Sequence, residues 1–182
     1  GEITVKGPSV FQGYYKDEEK TKEAFTEDGF FMTGDIGHID EEGFLHITDR
    51  KKEMFKTSGG KYVAPQVLDI LAKGSKLIEQ IMVVGDGEKM PCALVQPDYA
   101  FAKLWAERKH LKIGKTPEEM ANSPELKARI MKDINLLNAT LGKWEQIKKI
   151  ELTPTLWTIE DGLLTPTMKL KRKAVKEKFF NL

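Results

Sequence analysis

The sequence predicts an α+β fold in two parts, and three observations carry that prediction. Residues 2 to 48 read as short strands and turns, with no amphipathic helix of substance. Beyond Arg50, apolar strand-like runs alternate with helical stripes, the pattern of a small sheet covered by helices. Between the two stand four consecutive charged residues, Asp49-Arg50-Lys51-Lys52, which make a good linker and a poor core.

In the first part, Ile3-Thr4-Val5 and Val10-Phe11 are β-prone, with Gly7-Pro8 as the breaker between them. Asp17 to Phe25 predicts a short polar helix with Asp17 as its N-cap. Asp28-Gly29 is a turn. Phe44-Leu45-His46-Ile47-Thr48 alternates like a strand after the turn Asp40-Glu41-Glu42-Gly43. Together these read as the edge of a β-rich domain whose core lies upstream. A chain that opens without Met, directly on the strand-like Gly1-Glu2-Ile3-Thr4-Val5, is expected to be a fragment of something larger.

In the second part, Met54-Phe55-Lys56-Thr57 and Lys61-Tyr62-Val63 predict a hairpin about Ser58-Gly59-Gly60. Pro65 sits where a helix starts and Gly74 where it stops. Gln80 to Val84 and Ala93 to Gln96 predict apolar strands joined by a Gly85-Asp86-Gly87 turn. Asp98 caps a helix expected to present Phe101, Leu104 and Trp105 on one face. Thr116-Pro117-Glu118-Glu119 fits a capping box, in which the Thr and Glu side chains satisfy each other's free amides. Ser123-Pro124 opens a longer helix with Leu126, Ile130, Ile134 and Leu137 as its apolar stripe. Ile147 to Leu152 is a further strand, and Lys171 to Phe180 a closing basic helix.

Composition narrows the function classes. With 182 residues, 40% hydrophobic and 31% charged, the chain has the balance of a globular protein. The net charge of +1 sets up no global field for nucleic acid or acidic lipid. The single cysteine, Cys92, permits no internal disulfide, and a Cys/His zinc site lacks ligands, so a reducing compartment is the simplest setting. No apolar run approaches the ~20 residues needed to span a bilayer, and no signal peptide is expected.

Four stretches carry candidate chemistry. In Thr33-Gly34-Asp35, a Gly before an Asp allows a tight turn that presents the carboxylate, a natural acceptor for a vicinal diol such as a ribose. A plain Asp turn is the commoner explanation. Arg50 follows after a hairpin long enough to bring it back beside Asp35, or it is simply a surface Arg. Ser58-Gly59-Gly60 offers backbone N–H groups to a phosphate or a thin ligand chain, or is ordinary turn chemistry. Lys169 follows the Thr165-Pro166-Thr167 loop, where a lysine can act as a point charge toward phosphate. The other tail lysines read as a solvated face. No aromatic platform of the kind single strands of nucleic acid need is interleaved with them. The residues thus suggest nucleotide chemistry between two domains without identifying the reaction.

Three segments, GEITVKGPSVFQGYYKD, MTGDIGHIDEEGFLHITDRKKEMFKTSGGKYVAP and LTPTMKLKR, resemble in this order the adenylate-forming acyl-CoA synthetases (AMP-forming ligases), and within them the long-chain fatty acid–CoA ligases. The resemblance covers nearly the whole chain. Each motif alone is modest; three in order are specific. It implies that residues 1–49 end the large adenylate-binding domain, 50–53 form a hinge, and 54–182 form a mobile C-terminal α+β domain. It also implies that Asp35 and Arg50 bind the ribose, Lys52 is the hinge position, Ser58, Gly59 and Gly60 line the path of CoA, and Lys169 enters the active site for adenylation. Many relatives carry Asp where this chain has Lys52, and Gly where it has Met168. The substrates implied are ATP, a long-chain fatty acid and CoA. Magnesium ligands, the phosphate loop and most of the acyl pocket are expected in a missing N-terminal domain of the same polypeptide. No nucleic-acid partner and no metal site within this chain are expected. The location implied is cytoplasmic. Peripheral membrane contact through Lys169 to Lys178 is a lesser alternative, against which Glu177 and the net charge argue. An adenylating relative acting on another acid, or a module that is inert when isolated, are the competing readings.

Overall fold

The computed structural model describes residues 1–180. The chain divides into two compact units, Gly1–Met54 and a second from Phe55 onward.

The first unit is a three-stranded antiparallel sheet of β1 (Glu2–Val5), β2 (Phe31–Ile39) and β3 (Leu45–Arg50), in the order β1-β2-β3. A short helix, α1 (Glu18–Ala24), precedes β2. As expected, Asp17 caps it, its carboxylate accepting the Lys20 N–H at 3.0 Å. Two expectations are corrected. Val10-Phe11 is not a strand, because Gly7 and Pro8 turn the chain (Val10 N–H to Gly7 O, 3.1 Å). Phe11 instead packs its ring against Tyr14, Phe25 and Phe31. Thr33-Gly34-Asp35 is not a turn but lies inside the nine-residue strand β2. Gly34 takes φ +75° within the strand, with open space where a Cβ would stand, whereas Gly37 serves close packing. A Cβ on Gly37 would stand 2.4 Å from the His46 carbonyl oxygen on β3, where the register shifts between Ile36 and Gly37.

The second unit opens with the expected hairpin, β4 (Phe55–Lys56) and β5 (Tyr62–Val63). Helix α2 (Pro65–Ala72) follows with Pro65 in its first turn, where a missing N–H costs nothing. The main sheet has the order β6 (Ile78–Val84), β7 (Cys92–Pro97), β8 (Lys149–Leu152). Strands β6 and β7 are antiparallel, joined through residues 85 to 91, which contain the predicted glycine turn. Strands β7 and β8 are parallel, so the chain between them must cross over. It does so through α3 (Tyr99–Arg108), α4 (Pro117–Ala121) and α5 (Pro124–Asn138). Caps mark these helices as predicted. Asp98 and Ser123 accept from the Phe101 and Leu126 amides, and Thr116 and Glu119 form the capping box. The chain closes with α6 (Arg172–Phe179).

Both faces of the β6–β8 sheet are covered, and strand alternation assigns the side chains. Ile81, Val83, Ala93 and Val95 face the α2, α3 and α5 layer, whose Leu68, Ala102, Leu126, Ile130 and Ile134 are buried with them. Met82 and Leu94 face the other way, onto Trp157, Leu163, Leu164 and Val175. Each such side chain contributes about 1.5–3 kcal/mol on burial. The stripe on α3 differs from expectation. Tyr99, Ala102 and Ala106 point inward, Phe101 and Trp105 are partly buried, and Leu104 is exposed. Small residues on that face let α3 lie close to the sheet.

Candidate functional site

In the first unit the register of β2 and β3 sets Asp35 directly opposite Arg50. Arg50 Nε lies 3.1 Å from Asp35 Oδ1. The hairpin between them does bring the pair together. Asp35 is further fixed by its own N–H, which donates to Thr33 Oγ1 at 3.1 Å, while the Thr33 hydroxyl donates to the Ile3 carbonyl on β1. With side chains 26% and 65% exposed, an ion pair of this kind adds only about 0.2–1 kcal/mol. What it supplies is preorganisation: a carboxylate and a guanidinium held side by side at the sheet surface. Such a pair can accept from, and donate to, the hydroxyls of a vicinal diol.

The residues after Arg50 tighten into a turn, with the Glu53 and Met54 amides donating to the Arg50 carbonyl. Lys51 is tied back to the first unit, its N–H to Gly34 O at 2.8 Å and its ammonium to Glu2 Oε2 at 2.7 Å. Lys52 is exposed within the turn.

In the second unit, Ser58, Gly59 and Gly60 form the tip of the β4–β5 hairpin. Gly60 has φ +78°, a left-handed conformation that favours glycine. Of the readings open for this loop, amides offered to a phosphate or a thin ligand chain, or ordinary turn chemistry, the hydrogen bonds match turn chemistry at two positions: Ser58 N–H donates to Glu88 O and Gly60 N–H to Thr57 O, both at 2.9 Å. The tip is a thin wall with only small side chains. Around it sit groups the sequence reading missed. Lys56 lies over the Tyr62 ring at 5.7 Å from its centroid, and Lys61 over Trp144 at 5.5 Å, with both rings substantially exposed. The flanking lysines were a signal for this rim; Trp144, far along the chain, gave none.

Lys169 stands at a second turn. Leu164 and Leu170 bridge its base, Met168 N–H donates to Thr165 O and Thr165 N–H to Lys169 O, each at 2.8 Å. Lys169 N–H donates to Thr165 Oγ1 at 3.0 Å. Met168 takes φ +60°, so this position keeps a glycine-like conformation without a glycine. The Lys169 side chain is exposed at the tip. Immediately after it, the basic tail is not wholly solvated: Arg172 turns inward to Asp69. A cleft of about 510 Å³ is lined by α2 and α5 residues such as Leu71 and Asp133 and by Phe101 of α3. It contains none of these site residues. Among the described residues no group of three or more His, Cys, Asp or Glu is gathered to hold a metal ion. No described helix is long and apolar enough to cross a membrane.

The profile of the family described as "AMP-binding enzyme C-terminal domain" matches residues 52–180. The chain belongs to that family. Among curated proteins, this AMP-binding C-terminal domain and the sheet before it are 44% identical over 179 residues to the long-chain-fatty-acid–CoA ligase FadD15 of Mycobacterium tuberculosis. That match covers 98% of this chain and 30% of the relative. Identity to long-chain-fatty-acid–CoA ligase 6 of Rattus norvegicus is 43% over 182 residues, covering 98% and 26%. The chain thus spans less than a third of the length of these relatives. Among solved structures, the adenylation domain of a carboxylate reductase from Mycobacterium chelonae superposes with a TM-score of 0.79 at 30% identity, over 99% of this chain and 26% of that one. ATP-bound MatB from Rhodopseudomonas palustris gives 0.68 at 27% identity, over 100% and 30%. The α+β class expected from sequence is the one observed.

Proposed function

We propose that this chain is the C-terminal part of an ATP-dependent long-chain fatty acid–CoA ligase, which joins a fatty acid to CoA through an acyl adenylate and releases AMP and pyrophosphate. The observation that carries the reading is 44% identity across 98% of the chain to a ligase of that name. In this reading residues 1–49 complete the large nucleotide-binding domain, 50–53 are the hinge around Lys52, and 54–182 are the mobile domain. The location is cytoplasmic; peripheral membrane contact through Lys169 to Lys178 stays the lesser alternative, against which Glu177 and the net charge of +1 argue.

In the first half-reaction a fatty acid carboxylate attacks the α-phosphorus of ATP and pyrophosphate leaves. Asp35 and Arg50 hold the ribose. Negative charge accumulates between the incoming carboxylate and the phosphates, and the Lys169 ammonium, carried on an exposed turn, lowers that barrier as a placed cation. In the second, the CoA thiol attacks the acyl carbonyl and AMP leaves. Lys169 is no longer required, and the thin Ser58-Gly59-Gly60 tip forms a wall past which a pantetheine arm reaches the adenylate. A rotation about Lys52 that exchanges one turn for the other serves both steps with one pocket. Magnesium, when bound, would neutralise phosphate charge. The described residues of this chain gather no ligand set for it.

The test is fatty-acid-dependent ATP–pyrophosphate exchange by a full-length polypeptide carrying this sequence, across short, medium, long-chain and aromatic acids. A peak at long chains is expected. Lys169→Ala should slow exchange roughly 100- to 1,000-fold while sparing thioester formation from preformed acyl adenylate. Equal loss in both half-reactions would remove the assignment of Lys169. A second reading, adenylation of a different acid, is favoured by the carboxylate reductase and MatB neighbours; exchange peaking with a short or aromatic acid would select it.

A further inference from the structure

The segment that carries Lys169 is anchored on both sides. Upstream, Leu163 and Leu164 are buried against Met82, Leu94 and Trp157. Downstream, Arg172 stands three residues after Lys169 and opens α6. Its guanidinium lies 2.5 Å from Asp69 Oδ2 on α2 and also donates to the Val83 carbonyl on β6. The other Asp69 oxygen, Oδ1, accepts the Val83 N–H at 2.8 Å. The two side chains are 12% and 13% exposed. Strand β6 is at one edge of its sheet, and Asp69 and Arg172 between them take both main-chain groups of Val83 there.

A buried ion pair is a poor source of stability, because apolar residues of similar size often serve as well or better. This one has a geometric property that apolar residues lack. A guanidinium fork spans two acceptors at once and so fixes direction as well as distance. The fork sits at the exit of a turn whose tip is a long flexible lysine, and the turn's own internal bonds make it a unit that moves with its base. We propose that Asp69 and Arg172 are positioning residues that aim the Lys169 turn, an inference that rests on the reading of Lys169 as the adenylation lysine.

The full-length ligase tests this with four variants: the paired Asp69→Leu/Arg172→Met, which leaves no lone buried charge; Arg172→Lys; Lys169→Ala; and Lys169→Ala combined with the pair. The paired replacement should lower the ATP–pyrophosphate exchange kcat roughly 10- to 100-fold, as expected for a misplacement of about an ångström. KM for the fatty acid and the thioester half-reaction should stay within about twofold. Added to Lys169→Ala, the pair should cause no further loss, because it acts through a group already removed. Arg172→Lys should remain impaired, since one ammonium does not reproduce the fork. It carries the same test if the paired variant does not fold. Unchanged exchange in the paired variant, equal loss in both half-reactions, or a loss that multiplies on top of Lys169→Ala would overturn the inference. If Lys169→Ala alone leaves exchange intact, the underlying reading falls instead, and the two failures are told apart by that single variant.

Discussion

Met168 shows how a residue outside the usual pattern is accommodated. Its φ of +60° places an L side chain in the left-handed region, at a cost of about 1–2 kcal/mol relative to the right-handed one. The turn keeps its hydrogen bonds across that position, from Met168 N–H to Thr165 O and from Lys169 N–H to Thr165 Oγ1, so the shape is retained and the strain is local. The side chain is 53% exposed and little packing depends on it. Met168→Gly removes the strain, while the freer unfolded glycine takes back about 0.5–1 kcal/mol. The expected result in a urea melt is a net gain between zero and about 1.5 kcal/mol. A loss of stability would show that the methionine side chain does more for the turn than its backbone strain costs.

Helix α2 and helix α6 meet through one carboxylate, and that contact makes the stability of the second unit depend on pH. Burial pushes the Asp69 carboxyl up to about 6, against the opposing pull of Arg172 from α6, the Val83 N–H from β6 and Lys73 just after α2. The folded carboxyl therefore holds its proton more tightly than the unfolded one, whose ordinary value is 3.8. The stability linked to that proton is fully present below pH 4 and is lost as pH rises through 6, by on the order of 3 kcal/mol. Asp40, Glu119, Glu125 and Glu151 have lowered values and act in the opposite sense, so the wild-type curve mixes both. Asp69→Asn isolates the effect: its fixed offset does not titrate, and the wild type should lose stability relative to it between pH 4 and 6. A difference that stays flat across that range would mean that Asp69 is not titrating in the folded protein. None of this was legible from sequence. Nothing in the sequence singled out Asp69, and Arg172 fell within the closing basic helix, because the contact joins positions 103 apart. Caps and turns were legible, since Asp17, Asp98, Thr116 and Ser123 act on amides two to four residues away. The Asp35–Arg50 pairing was legible only as a consequence of hairpin length. Strand β2 was missed because its two glycines broke the alternation that marks a strand.

Across the whole chain, burial is divided very unevenly. Every buried apolar side chain among the described residues lies in the second unit, from Phe55 to Val175. In the first unit only Gly37 and Asp49 are buried, while Val5, Phe11, Phe30, Ile39, Phe44, Leu45 and Ile47 remain exposed. A three-stranded sheet without a closed apolar layer has its backbone hydrogen bonds and little else to resist local opening. The second unit has both sheet faces covered. Native-state hydrogen exchange on the 182-residue chain should therefore separate the two units. Amides of β1, β2 and β3 should exchange through low-energy openings, and those of β6, β7 and β8 only with global unfolding of their unit. Removing residues 1–54 should leave the protection of β6–β8 and its melting temperature nearly unchanged. Equal protection of the two sheets would show that the exposed apolar residues of the first unit are covered in solution, by a second copy of the chain or by the second unit. Dilution separates these outcomes, because only self-association weakens with falling concentration.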